Sequence, residues 1–209
     1  ALDILGLDLG QVYGYAYPPI NIDEALSTIE ETTVPDWPVD MLSDDQDVQG
    51  VVLHYTTVGR NNPAADEDGM NENNLGRTAV HEVGHYLGLR HIWGDAECGD
   101  DGVKDTPSHR YDNNGASTTS PTPNDHPKPT PALFPYHVGL AAPAGQTGAW
   151  GCVADSLNPA GEMFMNYMDY TKDDYTTMFT AGQMEIVNIT FEGELDEETG
   201  NTGFGFREY

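Results

Sequence analysis

Residues 81–91 read His-Glu-Val-Gly-His-Tyr-Leu-Gly-Leu-Arg-His, and this stretch constrains the fold more than any other. His81 and His85 stand four residues apart. On a helix that spacing leaves them about 40° apart on one face, so both imidazoles can reach a single ion. Gly88 is spaced to stop the helix and turn the chain, which returns His91 as a third ligand. Three neutral imidazoles with one open position form the ligand set of a catalytic zinc. Glu82 directly follows the first histidine, where a general base for hydrolysis would sit. The His-Glu-x-x-His core alone recurs by chance in unrelated chains. The longer pattern that adds Gly88 and His91 is far more specific, and a plain helix with two surface histidines leaves most of it unexplained.

A length of 209 residues suits one domain, or one domain with two lobes. No run of 18 apolar residues occurs, so no membrane-crossing helix is expected. Ala1 opens directly into Leu-Asp-Ile-Leu-Gly-Leu-Asp-Leu without a basic leader, so the numbering is expected to start after processing. Charge is the outlier: 35 acidic against 8 basic residues, a net −27. Such a surface argues against nucleic-acid and anionic-membrane partners and favours solubility. It is compatible with salt adaptation, with bound calcium, or with simple solvation of most of these groups. Cys98 and Cys152 form no Cys-x-x-Cys pair, so cysteine zinc ligation is not expected. An extracellular chain would most simply join them; two buried thiols are the alternative.

Along the chain, residues 2–9 alternate as a strand does, with residues 14–17 pairing with it or extending it. Residues 22–31 carry a weak helical period. The span 51–58 (VVLHYTTV), bounded by Gly50 and Gly59, is the strongest strand expectation. His54 lies within it and is left out of the metal set. Residues 60–74 read as a polar loop, with Asn73 or Asn74 available to cap the helix that follows. In that helix Leu75, Ala79, Val80, Val83 and Leu87 form a stripe expected to pack inward. The acids Asp95, Glu97, Asp100, Asp101 and Asp105 either hold calcium or form a solvated loop; their spacing is not that of an EF-hand. Residues 112–131 read as an irregular loop, and His109, His126 and His137 as surface residues. Thr180 and Gln183 have the spacing of a capping box at the start of a last helix. The sequon at Asn188 falls inside that helix and is read as chance.

The flanking words narrow the reading. Asn74-Leu-Gly-Arg-Thr-Ala-Val-His81, His91-Ile-Trp-Gly-Asp95, Asp101-Gly-Val-Lys-Asp105-Thr106-Pro107 and Phe164-Met-Asn-Tyr-Met-Asp-Tyr170 resemble the pappalysin family of metzincin zinc metalloproteases. The resemblance runs from about residue 74 to 183, apart from the divergent 112–150 region. It implies an α+β (mixed α/β) fold. A twisted, mostly parallel N-terminal sheet with helices would lie above a cleft, and an irregular C-terminal lobe below it. Residues 1–209 would form one catalytic domain, with 1–91 as the upper part and 92–209 as the lower.

The resemblance also implies roles. His81, His85 and His91 would bind one zinc, and Glu82 would be general base and acid. Met168 would floor the ligands in a Met-turn, and Tyr170 would aim its hydroxyl at the metal or the oxyanion. Asp101, Asp105 and Thr106 would hold a structural calcium, and Cys98 and Cys152 match a disulfide pairing of the family. The substrates would be proteins or peptides, cut outside the cell by a secreted enzyme. Asp174, with Asp173 beside it, would line a pocket preferring Arg or Lys after the scissile bond. Two departures stand out. Tyr175 occupies the place of a further cysteine, and the inhibitory pro-segment typical of these enzymes is absent, which implies a mature form. The competing reading is an inactive zinc- and calcium-binding interaction or adhesion module; the presence of Glu82 argues against it.

Overall fold

The computed structural model describes residues 3–4, 7–8, 12–18, 22, 45, 47–67, 73–109, 112 and 163–192. The expected helix beyond Ile22, the 112–131 loop apart from Asp112, Cys152, His126, His137 and the acidic tail lie outside these residues.

The first stretch is a hairpin, not one strand. Strands β1 (Asp3–Ile4) and β2 (Leu7–Asp8) pair antiparallel, Ile4 opposite Leu7. Strand β3 (Gly14–Tyr17) pairs antiparallel with β4 (Gly50–Leu53), Gly14 opposite Leu53 and Tyr17 opposite Gly50. The expected mostly parallel sheet is therefore not seen among the described residues, where both strand pairs run antiparallel. The span 51–58 also divides. The strand ends at Leu53, and Tyr55–Thr57 form a 3-10 turn capped by His54. His54 Nδ1 lies 2.6 Å from Thr56 Oγ1, and Thr57 Oγ1 donates to the His54 carbonyl at 2.9 Å. Threonine and histidine side chains here offer the backbone local partners that compete with the ladder, which is why a β-rich composition turns early.

Three helices are described: α1 (Ala64–Glu67) inside the 60–74 stretch expected to be a polar loop, α2 (Arg77–Tyr86) and α3 (Ala181–Glu192). Helix α2 packs against β3 and β4. Its C-terminus is a Schellman motif. Leu89 N donates to the Gly84 carbonyl at 3.0 Å and Gly88 N to the His85 carbonyl at 2.9 Å. Gly88 has φ +93, and a Cβ there would meet Ile22, Thr190 and Ile186 at 3.3–3.4 Å. The expected inward stripe is corrected. Thr78, His81, Glu82 and Gly84 are the buried residues of α2, while Val83 is exposed. Hydrophobicity alone mistakes the face because polar residues are the ones this helix buries.

The core contains Ile22, Leu89, Ile92, Trp93, Val103, Met168 and Ile186. It joins the segment after α2 to α3 and to the turn at 166–169. The capping box is present as read: Thr180 N donates to Gln183 Oε1 at 2.9 Å and Gln183 N to Thr180 Oγ1 at 3.1 Å. Gln183 also exchanges two amide hydrogen bonds with Asn166, at 2.7 and 3.1 Å, in full burial. One side chain thus starts α3 and fastens the turn. Replacing Gln183 with Ala removes the cap and strands a buried Asn166 amide. The loss is expected to be about 3 kcal/mol, read as a lower midpoint in urea unfolding at unchanged slope.

Candidate metal centre and active site

Helix α2 supplies His81 and His85, and the turn after Gly88 supplies His91. Their ligand atoms all lie within 4.8 Å of one another, the one group of three or more His, Cys, Asp or Glu among the described residues that could hold an ion. His85 Nε2 is 3.0 Å from the Nε2 of both His81 and His91. Tetrahedral ligands placed roughly 2.1 Å from a zinc ion are about 3.3 Å apart, so the spacing fits.

The far nitrogen of each ring is held by a different partner. His81 Nδ1 donates to the Tyr167 carbonyl and His85 Nδ1 to the Leu89 carbonyl, each at 2.7 Å. His91 Nδ1 bonds the Asp95 carboxylate, and the Trp93 indole stacks on the His91 ring at 4.2 Å. A carbonyl can only accept, so Nδ1 carries the proton in His81 and His85, and Nε2 keeps its lone pair. Burial, then His91, lowers His81 to about 3 and holds His85 well below its ordinary value. Both rings are therefore neutral donors aimed at one point, the state a metal ion requires. Asp95 is pushed up by partial burial, but the hydrogen bond and charge of His91 and the nearby Arg90 outweigh this and lower it. Asp95 was read only as one acid of a cluster; its place four residues after His91 was the available signal for a carboxylate–histidine pair.

Glu82 is 6% exposed, and burial pushes its carboxyl up to about 8. Tyr170 lies beside the cluster, its ring 5.4 Å from His81 and 4.8 Å from both His91 and Trp93. Burial, with Glu82 next, raises its phenol above the ordinary value and keeps it a proton donor. Met168 is fully buried beneath α2; a Cβ on Gly84 would come within 2.6 Å of its sulfur. Met168 N donates to Asn166 Oδ1 at 2.9 Å, and Ile92 N donates to the Met168 carbonyl at 3.1 Å. The turn at 166–169 thus touches the cluster twice, through Tyr167 to His81 and through Met168 to the segment after His91.

Asp173 is committed to the start of α2. It is 4% exposed, and its Oδ2 accepts from Leu75 N at 2.7 Å and Arg77 N at 3.2 Å. The expected Asn73 or Asn74 cap is replaced by Gly76 in a left-handed conformation, with no side-chain cap of its own. A carboxylate from beyond the Met-turn therefore satisfies the start of α2. Asp174 is exposed.

Of the three expected calcium ligands, Asp101 and Thr106 meet, while Asp105 bonds elsewhere. Asp101 is buried, and its Oδ1 accepts from Val103 N at 3.0 Å and Thr106 Oγ1 at 2.8 Å. Its Oδ2 is buried without a hydrogen-bond partner. Asp105 turns instead to Gly182 N at the start of α3, at 3.0 Å. His109, read as a surface residue, is fully buried, and its Nε2 accepts from Met163 N at 2.8 Å. Among the described residues no cysteine is free.

Residues 61–191 match the family Peptidase_M43, described as pregnancy-associated plasma protein-A. An extracellular metalloprotease of Neurospora crassa is 28% identical over 177 residues, covering 84% of this chain and 42% of that protein. One from Verticillium alfalfae is 35% identical over 135 residues, covering 64% of this chain and 34% of its own. Mature mirolysin of Tannerella forsythia, solved with a cleaved peptide, superposes with a TM-score of 0.52 at 28% identity, over 91% of this chain and 50% of that one. The chain thus spans about two fifths of the length of the first curated relatives it matches.

Two outcomes follow from the geometry. Asp95→Ala should weaken zinc binding about tenfold to a hundredfold, measured by competition with a chelating dye. Burial pushes Asp101 up to about 7, far above its unfolded value. Between those pH values the folded chain binds more protons than the unfolded one, so metal-free stability should fall as pH rises from about 4 to 7. Asp101→Asn should flatten that slope in urea unfolding series.

Proposed function

The chain belongs to the M43 peptidase family, that of pregnancy-associated plasma protein-A, and from that premise we propose that it is a secreted zinc-dependent endopeptidase. The observation that carries this reading is the convergence of three oriented imidazoles, two of them held neutral by burial, together with a buried glutamate. Zinc held by His81, His85 and His91 supplies the Lewis acidity that peptide-bond hydrolysis needs at neutral pH. Glu82 takes the proton of the attacking water and returns it to the leaving amine. Burial raises the metal-free carboxyl, which favours its holding the proton between the two transfers. The Tyr170 hydroxyl, kept protonated, donates to the developing oxyanion. Met168 supports the ligands from below, and Gly88 ends α2 so that His91 can return.

One catalytic domain over 1–209 is supported by a family match that crosses the expected boundary at residue 91. A disulfide between Cys98 and Cys152 is supported by the absence of free cysteine among the described residues. The calcium reading rests on Asp101, whose buried, unbonded Oδ2 is what a cation would satisfy. Secretion is supported by relatives named extracellular, and no described helix is long and apolar enough to cross a membrane. Exposed Asp174 remains the candidate for an Arg or Lys preference after the cut, because Asp173 is committed to the start of α2.

A mixed peptide library separates these roles. The zinc-loaded chain should cut it, with Arg or Lys enriched after the cut, and a chelator should stop it. Glu82→Ala should keep one zinc per chain and lose about a hundredfold to ten-thousandfold in turnover; normal turnover in that variant would sink the base assignment.

A further inference from the structure

Gly14 opens β3, a place where glycine weakens a strand and where its backbone freedom is not needed, since its φ is not left-handed. A glycine there calls for a close neighbour, and the neighbour is Glu82. A Cβ on Gly14 would stand 2.8 Å from Glu82 Cγ, 3.0 Å from Glu82 Oε1 and 3.0 Å from the Val52 carbonyl oxygen. The first distance is one that real Cβ atoms essentially never show. The contact falls on the middle of the glutamate side chain, so relief requires the carboxylate to move as a whole or β3 to leave α2.

We propose that Gly14 is a positioning residue for hydrolysis. Its missing side chain is the slot in which the Glu82 carboxylate stands, and the backbone of β3 is the wall that holds it beside the histidines. The proposal rests on Glu82 being the general base and goes beyond that reading. It assigns part of the catalytic geometry to a strand outside the 61–191 family match.

The test is Gly14→Ala in the zinc-loaded chain, assayed on a peptide the parent cuts. One zinc per chain should remain and KM should stay within about twofold. The turnover number kcat should fall about tenfold to a hundredfold, as misplacement of a reacting group by about 1 Å produces. An unchanged kcat, or a loss that only follows loss of zinc, overturns the proposal. Glu82→Ala is run beside it. If that variant loses turnover while Gly14→Ala does not, the base assignment survives and the Gly14 assignment fails. If Glu82→Ala turns over normally, the base assignment itself is gone.

Melting temperatures give a readout independent of activity. Gly14→Ala should lower the melting temperature clearly in the Glu82 chain and much less in the Glu82→Ala chain, because residues in contact are not additive. Should Gly14→Ala alone not fold, the double variant decides. Recovery of folding supports the contact, and failure of both places the obstruction at Val52 and overturns the proposal.

Discussion

Three imidazole nitrogens within 4.8 Å of one another, two of the pairs at 3.0 Å, repel one another unless a cation lies among them. Much of the described structure serves to hold them there. The proton on each far nitrogen is fixed by a partner from a separate segment: the Tyr167 carbonyl below, the Leu89 carbonyl beyond the helix end, and the Asp95 carboxylate after the turn. Burial removes the alternative of protonating His81 and His85. The folded chain thus places neutral ligands where only a metal satisfies them, and metal affinity becomes part of folding stability.

That requirement explains the joints of the fold. Helix α2 is tied at both ends and pressed from below. Asp173 holds its first turn, the Gly88 Schellman motif closes its last, and Met168 packs under Gly84 where no Cβ would fit. The Met-turn is braced in its turn by the buried Asn166–Gln183 pair, so α3 supports the metal site without contributing a ligand. Apart from the local Schellman motif, these braces link segments distant in sequence, which lets a loop-rich chain hold three rings around one point.

The motif residues were legible because local geometry dictates them. Two histidines at helical spacing, a glycine where the helix must stop and a returning histidine need no distant partner to be recognised. The Thr180–Gln183 box was legible for the same reason. The early end of β4 was hidden because hydroxyl and imidazole side chains compete locally with strand pairing. The buried face of α2 was misjudged because a metal site inverts the usual pattern and buries polar residues. His109 looked like a surface group and Asp173 like a pocket residue because nothing in their neighbourhood in sequence names the backbone amides they serve.

The sequence by itself therefore determined the candidate ligands, the glutamate beside them and the helix stop, which follow from spacing along the backbone; the turn that carries Met168 was legible through its resemblance to the pappalysin Met-turn. Only the tertiary structure decided which Asp caps α2, that Asp95 orients His91, that Asp105 faces α3 instead of Asp101, and that Gly14 abuts Glu82. The physical reason is common to all four. Each is a contact between groups whose chemistry permits many partners, and only packing brings one of those partners within reach.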